Sequence, residues 1–190
     1  RELRAMGIGV IFATDRISTL EPESEMILSY IAAQSQEESR RTSARVVWGQ
    51  TRQMETLCRV MGEEAAPYGI TVALEPLCFR ETNMINSVAD ALKLVRQVDH
   101  PNFRMLCDLY HFYQIGDSLA DLESCGDALR HVHIAKPDDR RSMYPGDGID
   151  YDSFFRSLRK AGYDGRISFE GSVSDFEKEM PRVLEVLKQS

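Results

Sequence analysis

The sequence predicts an α/β fold in which helices alternate with parallel strands over residues 51–190. Four short apolar runs in this part each follow a helical stretch, and such alternation is typical of parallel strands joined by right-handed crossovers. The composition of the 190-residue chain, 43% apolar and 28% charged, is that of a folded domain and excludes a disordered chain. A net charge of −7 makes nucleic acid and anionic membranes poor general partners.

Residues 1–50 are expected to form a strand followed by a long helix. The apolar run at residues 7–13 is typical of a buried strand. Apolar residues then recur at spacings of three and four from Glu23 to about Arg45, which predicts a helix. Because its first half is apolar and its second half is charged, we expect the first half to pack and the second half to project.

The remainder of the chain predicts four βα units and a closing helix. The predicted strands are 70–74, 103–107, 131–134 and 166–169, and the predicted helices are 54–66, 85–98, 118–129, 151–161 and a last one around 183–187. Since the four cysteines are irregularly spaced, we expect reduced core thiols and not disulfides or a structural zinc site. Together with the lack of a leader-like segment or a membrane helix, this predicts a cytoplasmic location.

A residue able to bind a metal ion stands at the C-terminal end of each predicted strand. These residues are Glu75, Asp108, His133 and Glu170. In parallel α/β folds the active site lies at this end of the sheet. Three carboxylates and one imidazole are hard donors, which favour Mn²⁺, Mg²⁺ or Co²⁺ over a thiolate-bound zinc ion. A single carboxylate after a strand is often only a helix N-cap, so the joint pattern carries the prediction.

Four further charged residues lie in the loops that follow these strands. Glu81 and His111 follow the first two strand ends, and Arg140 and Arg141 follow His133. Side chains of these types can bind the hydroxyl groups or the carbonyl group of a polyol. Each of them taken alone is more typical of ordinary surface charge.

Residues 52–188 resemble the C-terminal half of a sugar phosphate isomerase/epimerase of the xylose isomerase-like TIM barrel group, which includes the ketose 3-epimerases. The motifs that carry the resemblance are Leu74-Glu75-Pro76, Cys107-Asp108-Leu109-Tyr110-His111, His131-Val132-His133-Ile134, Tyr144-Pro145-Gly146-Asp147-Gly148 and Ile167-Ser168-Phe169-Glu170. The resemblance implies a half TIM barrel of about four βα units, where a whole barrel has eight.

The same resemblance implies a metal-dependent isomerase or epimerase that acts on a ketose or related hydroxy-carbonyl sugar through an enediolate. The implied metal ligands are Glu75, Asp108, His133 and Glu170, with Mn²⁺ as the expected ion. Glu75 and Glu170 are also the implied acid/base pair, and Glu81, His111 and Arg140 or Arg141 the implied substrate contacts. Turnover is left open, because the missing half normally helps to enclose the substrate.

Residues 1–50 resemble part of the catalytic domain of a serine recombinase of the resolvase group. The matching runs are 7–12, 17–25 and 36–50. The nucleophilic serine and the arginine cluster of that family lie upstream of the match, so no recombinase chemistry is implied. The alternative function is therefore a non-catalytic interaction or DNA-associated fragment. The basic residues of this segment are clustered at Arg40, Arg41 and Arg45. Over residues 1–50, however, six arginines are outnumbered by seven carboxylates, so we do not expect this segment to bind nucleic acid.

The chain therefore divides into a recombinase-like segment, 1–50, and an isomerase-like half-barrel, 51–190. An open half-barrel exposes strand edges and the apolar interior of the barrel. We expect self-association of two half-barrels through these surfaces. Pairing of the strand at residues 8–13 with the open sheet is the alternative.

Overall fold

The structure, a computed structural model, describes residues 3, 6–12, 17–21 and 24–189, without the side chains of residues 24 and 43–48. The predictions made for Ala13 and Glu23, and for the side chain of Arg45, lie outside the described residues. The chain divides into two compact units, Arg1–Gln53 and Met54–Ser190.

The first unit contains a small antiparallel hairpin. Strand β1 (Ile11–Phe12) pairs with strand β2 (Ile17–Ser18). The prediction of a buried strand here is wrong, because the Ile11 side chain is 73% exposed and, within the described residues, the two-residue strand has a single neighbour. Pairing of this segment with the open sheet concerns the relation between the two units and stays a prediction.

Helix α1 spans Ser24–Ala65 without interruption, where the sequence predicted two separate helical stretches. Gly49 lies between the two predicted stretches and did not end the helix. A glycine within a helix costs only about 1 kcal/mol relative to alanine, which is too little to end a helix of this length. Gly69, with a left-handed φ of 65°, follows a short 3₁₀ turn and ends the segment. Met26 and Tyr30 are exposed, contrary to the expectation that the apolar first half packs.

The second unit is a four-stranded parallel sheet with helices between the strands. The strands, adjacent in chain order, are β3 (Val72–Leu74), β4 (Phe103–Asp108), β5 (Leu129–Ile134) and β6 (Ile167–Phe169). The helices are α2 (Val88–Val98), α3 (Leu109–Ile115), α4 (Leu119–Glu123), α5 (Tyr151–Lys160) and α6 (Phe176–Gln189). Four parallel strands with crossover helices are half of an eight-stranded barrel, so the predicted fold class is confirmed.

Side-chain caps decide where the helices begin. The Ser87 hydroxyl accepts a hydrogen bond from the Asp90 amide, so α2 begins at Val88 and not at residue 85 as predicted. Asp150 caps α5 in the same way. Helix α3 was not predicted, because it begins immediately after β4 with Asp108 as its cap and no loop marks the change.

The hydrophobic core of the second unit lies between the sheet and its helices. Phe103, Met105, Val132 and Ile134 from the central strands and Phe154 from α5 are buried there. All four cysteines are free and buried, which confirms the prediction that they are core residues.

Among the helices in the described part of the chain, none has the length and apolar character needed to cross a bilayer.

Replacing Phe154 by alanine is expected to destabilise the protein by about 3–5 kcal/mol, because the fully buried ring leaves a cavity. Urea-induced unfolding followed by circular dichroism measures this free energy. Phe176→Ala removes a ring that is 66% exposed and should change the stability by less than about 0.5 kcal/mol. Equal losses in the two variants would contradict the assigned core.

Candidate metal centre

The four strand-end residues converge at one edge of the parallel sheet. Glu75 directly follows β3, Asp108 ends β4, His133 lies near the end of β5, and Glu170 directly follows β6. One donor atom from each of them lies within 4.8 Å of the donor atoms of the other three. The convergence expected from the sequence is therefore present, and the parallel direction of the strands is its cause.

A register shift between β4 and β5 brings His133 opposite Asp108. Met105 pairs with Leu129, but Leu106 pairs with His131, so β5 contains one extra residue at this point. Without this bulge, Asp108 would pair with Val132. Because successive side chains of a strand point to opposite faces, the bulge decides that an imidazole and not an apolar side chain stands beside Asp108.

Asp108 is both a helix cap and a member of the cluster. Its Oδ1 atom accepts hydrogen bonds from the backbone amides of Tyr110, at 2.7 Å, and of His111, at 3.2 Å. Its Oδ2 atom is buried and lies 3.9 Å from His133 Nδ1. The hydrogen bonds from these two backbone amides hold the carboxylate so that Oδ2 faces the cluster. The role of Asp108 as a helix cap is therefore compatible with a role in metal binding.

Three buried polar atoms of the cluster lack a hydrogen-bond partner: Glu75 Oε1, Asp108 Oδ2 and His133 Nδ1. His133 Nδ1 lies 2.8 Å from Glu170 Oε2, but the angle between the two groups is unsuitable for a hydrogen bond. Buried polar atoms without partners are costly, by about 1–3 kcal/mol each, and require an explanation. A divalent cation would satisfy all of them, and a donor set of three carboxylates and an imidazole fits such an ion.

The carboxylates of the cluster perturb one another. Burial, followed by the charges of Asp108 and Glu170, raises the pKa of Glu75 to about 7. Burial also raises the pKa of Asp108, although the hydrogen bond from the His111 amide opposes this shift. Burial acts to raise the pKa of Glu170 as well, but Asp108, His133 and Arg140 together outweigh it and lower that pKa. Burial and the charges of the neighbouring carboxylates therefore favour the protonated form of Glu75.

Arg140 borders the cluster. Its Nη2 atom lies 2.9 Å from Glu170 Oε2 and 3.5 Å from Asp108 Oδ2, and its Nη1 atom lies 3.5 Å from Glu81 Oε1. Its guanidinium lies over the ring of Tyr110, 5.0 Å from the centroid. Nothing in the sequence analysis had drawn attention to Tyr110, whose position next to His111 in the motif was the available signal.

Arg141, the other candidate arginine, lines a different cavity of about 330 Å³ beside Lys136, Tyr144 and Glu179. The sequence left the choice between the two arginines open. Of the two, the structure brings Arg140 into contact with the strand-end cluster.

His111 is buried, and both of its ring nitrogens face hydrogen-bond donors. Its Nδ1 atom accepts a hydrogen bond from the backbone N–H of Cys78, at 3.2 Å. Its Nε2 atom lies 3.2 Å from Nη1 of Arg140, which can also only donate, and 3.8 Å from Oε1 of Glu81. Burial first, and then the nearby charge of Arg140, lowers the pKa of His111, although the charges of Asp108 and Glu81 oppose this shift. The neutral form of the ring is therefore favoured beside the guanidinium.

Cys78, which the sequence analysis did not select, forms a second close group with Glu81 and His111, with donor atoms within 4.8 Å of one another. Its place in the loop between Glu75 and Glu81 was the signal for it. This group is poorly suited to a metal ion. A histidine that binds a metal ion through one ring nitrogen normally donates a hydrogen bond from the other. For His111, binding through Nε2 would therefore need a proton on Nδ1. Here Nδ1 instead accepts a hydrogen bond from the Cys78 amide.

A cavity of about 450 Å³ adjoins both groups. Its polar lining includes Glu75, Glu81, His111, Arg140 and Glu170. The volume is within the usual range for small-molecule sites. Of the residues predicted to contact substrate, Glu81 and Arg140 from loops and His111 from helix α3 line this cavity, and Arg141 does not.

The sequence pattern of the family described as xylose isomerase-like TIM barrel matches residues 14–190. The chain is 35% identical over 134 residues to 3-dehydro-D-guloside 4-epimerase of Escherichia coli K12, covering 70% of this chain and 50% of that protein. It is 33% identical over 127 residues to ketose 3-epimerase of Arthrobacter globiformis, covering 65% of this chain and 43% of that protein.

Among solved structures, 3-keto-D-glucoside 4-epimerase from E. coli matches with a TM-score of 0.66 and 28% identity, covering 76% of this chain and 55% of that chain. The chain thus spans about half the length of the curated relatives that it matches.

The affinity for Mn²⁺ is expected to rise with pH up to about 7 and then level off. The pKa of Glu75 is raised to about 7, so below that pH a proton must leave Glu75 before an ion binds. Calorimetric titrations should show a gain of about tenfold per pH unit below this value. In Glu75→Gln the affinity should be lower and its dependence on pH shallower. An unchanged slope in that variant would contradict the assignment to Glu75.

Proposed function

The chain belongs to the xylose isomerase-like TIM barrel family, and on that premise we propose that it is a metal-dependent isomerase or epimerase of a ketose or related hydroxy-carbonyl sugar. The names of the relatives support the substrate class, since they act on a dehydro-guloside and on ketoses. The chain spans about half of each relative, so activity, substrate and partners are part of the proposal.

One observation carries the proposal: four potential ligands from four successive parallel strands lie together, and three of their buried donor atoms have no hydrogen-bond partner. A structural cluster would be expected to satisfy these atoms internally. Mn²⁺ is the proposed ion, with Mg²⁺ and Co²⁺ as alternatives, because the donors are hard and none is a thiolate.

Glu75, Asp108, His133 and Glu170 would hold the ion. A divalent ion at this position supplies Lewis acidity, which polarises the substrate carbonyl and makes the neighbouring C–H more acidic. Asp108 contributes through its fixed orientation, because Oδ1 is held by two amides while Oδ2 faces the cluster. Such orientation of a ligand by its neighbours is typical of metal sites.

Glu75 and Glu170 are proposed to transfer the proton. They follow the outer strands β3 and β6 of the described sheet, and both line the cavity proposed to hold the substrate. One carboxylate takes the proton from the carbon next to the carbonyl, which leaves an enediolate. The other returns a proton to the opposite face, which inverts the carbon. The pKa of Glu75, raised to about 7 by burial, suits proton transfer near neutral pH.

Glu81, His111 and Arg140 are proposed to bind the oxygen atoms of the substrate. Arg140 donates, and the carboxylate of Glu81 accepts. The imidazole of His111 lies beside Arg140, with its Nε2 atom 3.2 Å from Nη1. This mixture of donors and an acceptor around one cavity suits a molecule with a carbonyl group and several hydroxyl groups.

The alternative function, a recombinase-derived interaction or DNA-associated fragment, has less support. The resemblance of residues 1–50 to a serine recombinase remains a prediction. Arg41 is paired with Glu37 at 2.9 Å, which further reduces the basic character of this segment. We therefore do not propose nucleic acid as a partner.

Glu170→Gln is expected to weaken Mn²⁺ binding by about 100-fold or more, because losing even an indirect partner of a ligand costs 10–100-fold. It should also abolish exchange of the substrate C–H proton with solvent. Calorimetry measures the first effect, and NMR with a panel of ketoses in D₂O measures the second.

Glu177→Gln is the matched control for this variant, since it makes the same change on the exposed surface of α6. It should leave both measurements unaltered. Unchanged Mn²⁺ affinity in Glu170→Gln would remove Glu170 from the proposed site. Tight binding without exchange in the unmodified chain would retain the site and contradict the activity.

We further propose that the chain self-associates through the edges of its sheet. Within the described residues, β3 and β6 each pair with one strand, so each leaves an unpaired edge. Two half-barrels joined between β6 of one copy and β3 of the other would provide the eight strands of a barrel.

Sedimentation velocity at micromolar concentration is expected to give a dimer. Ile167→Lys, on β6, should shift the equilibrium to monomer because lysine on an edge strand opposes pairing. Leu184→Lys, at an exposed position of α6, is the control and should remain dimeric. A monomer with well-dispersed amide signals for the unmodified chain would contradict this proposal.

A further inference from the structure

We propose that Arg140 is an internal competitor of the metal ion, whose guanidinium lowers the affinity of the strand-end cluster for divalent cations while it stabilises the metal-free protein. This inference rests on the proposed metal site. It concerns a property of Arg140 that is separate from its proposed contact with substrate.

The contacts of Arg140 overlap with those of the proposed ion. Its Nη2 atom lies 2.9 Å from Glu170 Oε2 and 3.5 Å from Asp108 Oδ2, and both oxygens belong to the four-ligand group. An ion bound to these oxygens would therefore have a full positive charge as a close neighbour. Charges of the same sign at such distances, only partly screened in a half-buried site, repel each other strongly.

The guanidinium has further contacts, which oppose its displacement into solvent by an ion. Its Nε atom donates to the backbone oxygen of Glu170 at 3.4 Å, and its plane lies over the ring of Tyr110. The backbone is fixed on both sides, because the Arg140 amide donates to the Lys136 oxygen and the Arg140 oxygen accepts from the Ser172 amide, each at 2.9 Å.

The same guanidinium has the opposite effect on the metal-free protein. Glu75, Asp108 and Glu170 bring three carboxyl groups together, and their mutual repulsion opposes folding. Arg140 offsets this repulsion as a cation that belongs to the chain. Its removal should therefore lower the stability of the metal-free protein and raise the affinity for the ion, a pair of effects that a purely structural residue does not produce.

The test compares Arg140→Gln with the unmodified chain. Calorimetric titration should show Mn²⁺ binding that is about tenfold tighter in the variant, from the lost charge repulsion. After treatment with a chelator, the melting temperature of the variant should be lower than that of the unmodified chain. Arg141→Gln removes the neighbouring positive charge, which lines the other cavity, and should change neither quantity.

Arg140→Lys keeps the charge and should restore an affinity close to that of the unmodified chain. Equal or weaker Mn²⁺ binding by Arg140→Gln, or tighter binding by Arg140→Lys as well, would overturn the proposal. If the unmodified chain itself binds no Mn²⁺, the proposed metal site fails and this inference fails with it. Normal binding by the unmodified chain with no gain in Arg140→Gln overturns this inference alone.

Discussion

The parallel register of four strands is the constraint on which the rest of the structure depends. Parallel strands end at one edge, so a polar residue at each strand end reaches a common point although more than 90 residues separate Glu75 from Glu170 in the chain. Within this arrangement the bulge in β5 is decisive, because it sets His133 instead of Val132 opposite Asp108. A shift of one residue in a strand exchanges its two faces, so the composition of the cluster depends on a single extra residue.

Asp108 connects the stability of the fold to the chemistry of the site. One of its oxygens begins helix α3 and the other faces the strand-end cluster, so the helix and the candidate ligand are positioned by the same side chain. Burial, and for Glu75 also the charges of Asp108 and Glu170, raises the pKa values of Glu75 and Asp108, so it is costly to hold these carboxyl groups ionised together. A cation must compensate for this cost, and the structure contains one in Arg140. The competition between Arg140 and an added ion follows directly from this balance.

Much of the second unit could be predicted because its signals are local. Runs of four or five residues indicated the strands, and a donor at the C-terminal end of each run indicated the candidate ligands. Helix α3 could not be predicted, since the chain passes from strand to helix at Asp108 without a loop. The first unit was predicted poorly: an apolar run at residues 7–12 is typical of a buried strand, but burial depends on neighbours, and the hairpin supplies only one strand.

The sequence by itself determined the α/β class, the place of the cysteines in the core and the positions of the four strand-end donors, because periodicity and residue type are properties of short segments. Only the tertiary structure decided which loop residues join these donors. Arg140 and Arg141 are adjacent and chemically identical, yet the first contacts Glu170 and the second lines another cavity. Likewise, the two ring nitrogens of His111 contact the amide of Cys78, 33 residues away in the chain, and the guanidinium of Arg140, 29 residues away. Contacts of this kind arise from packing between distant segments, and a local sequence pattern does not specify them.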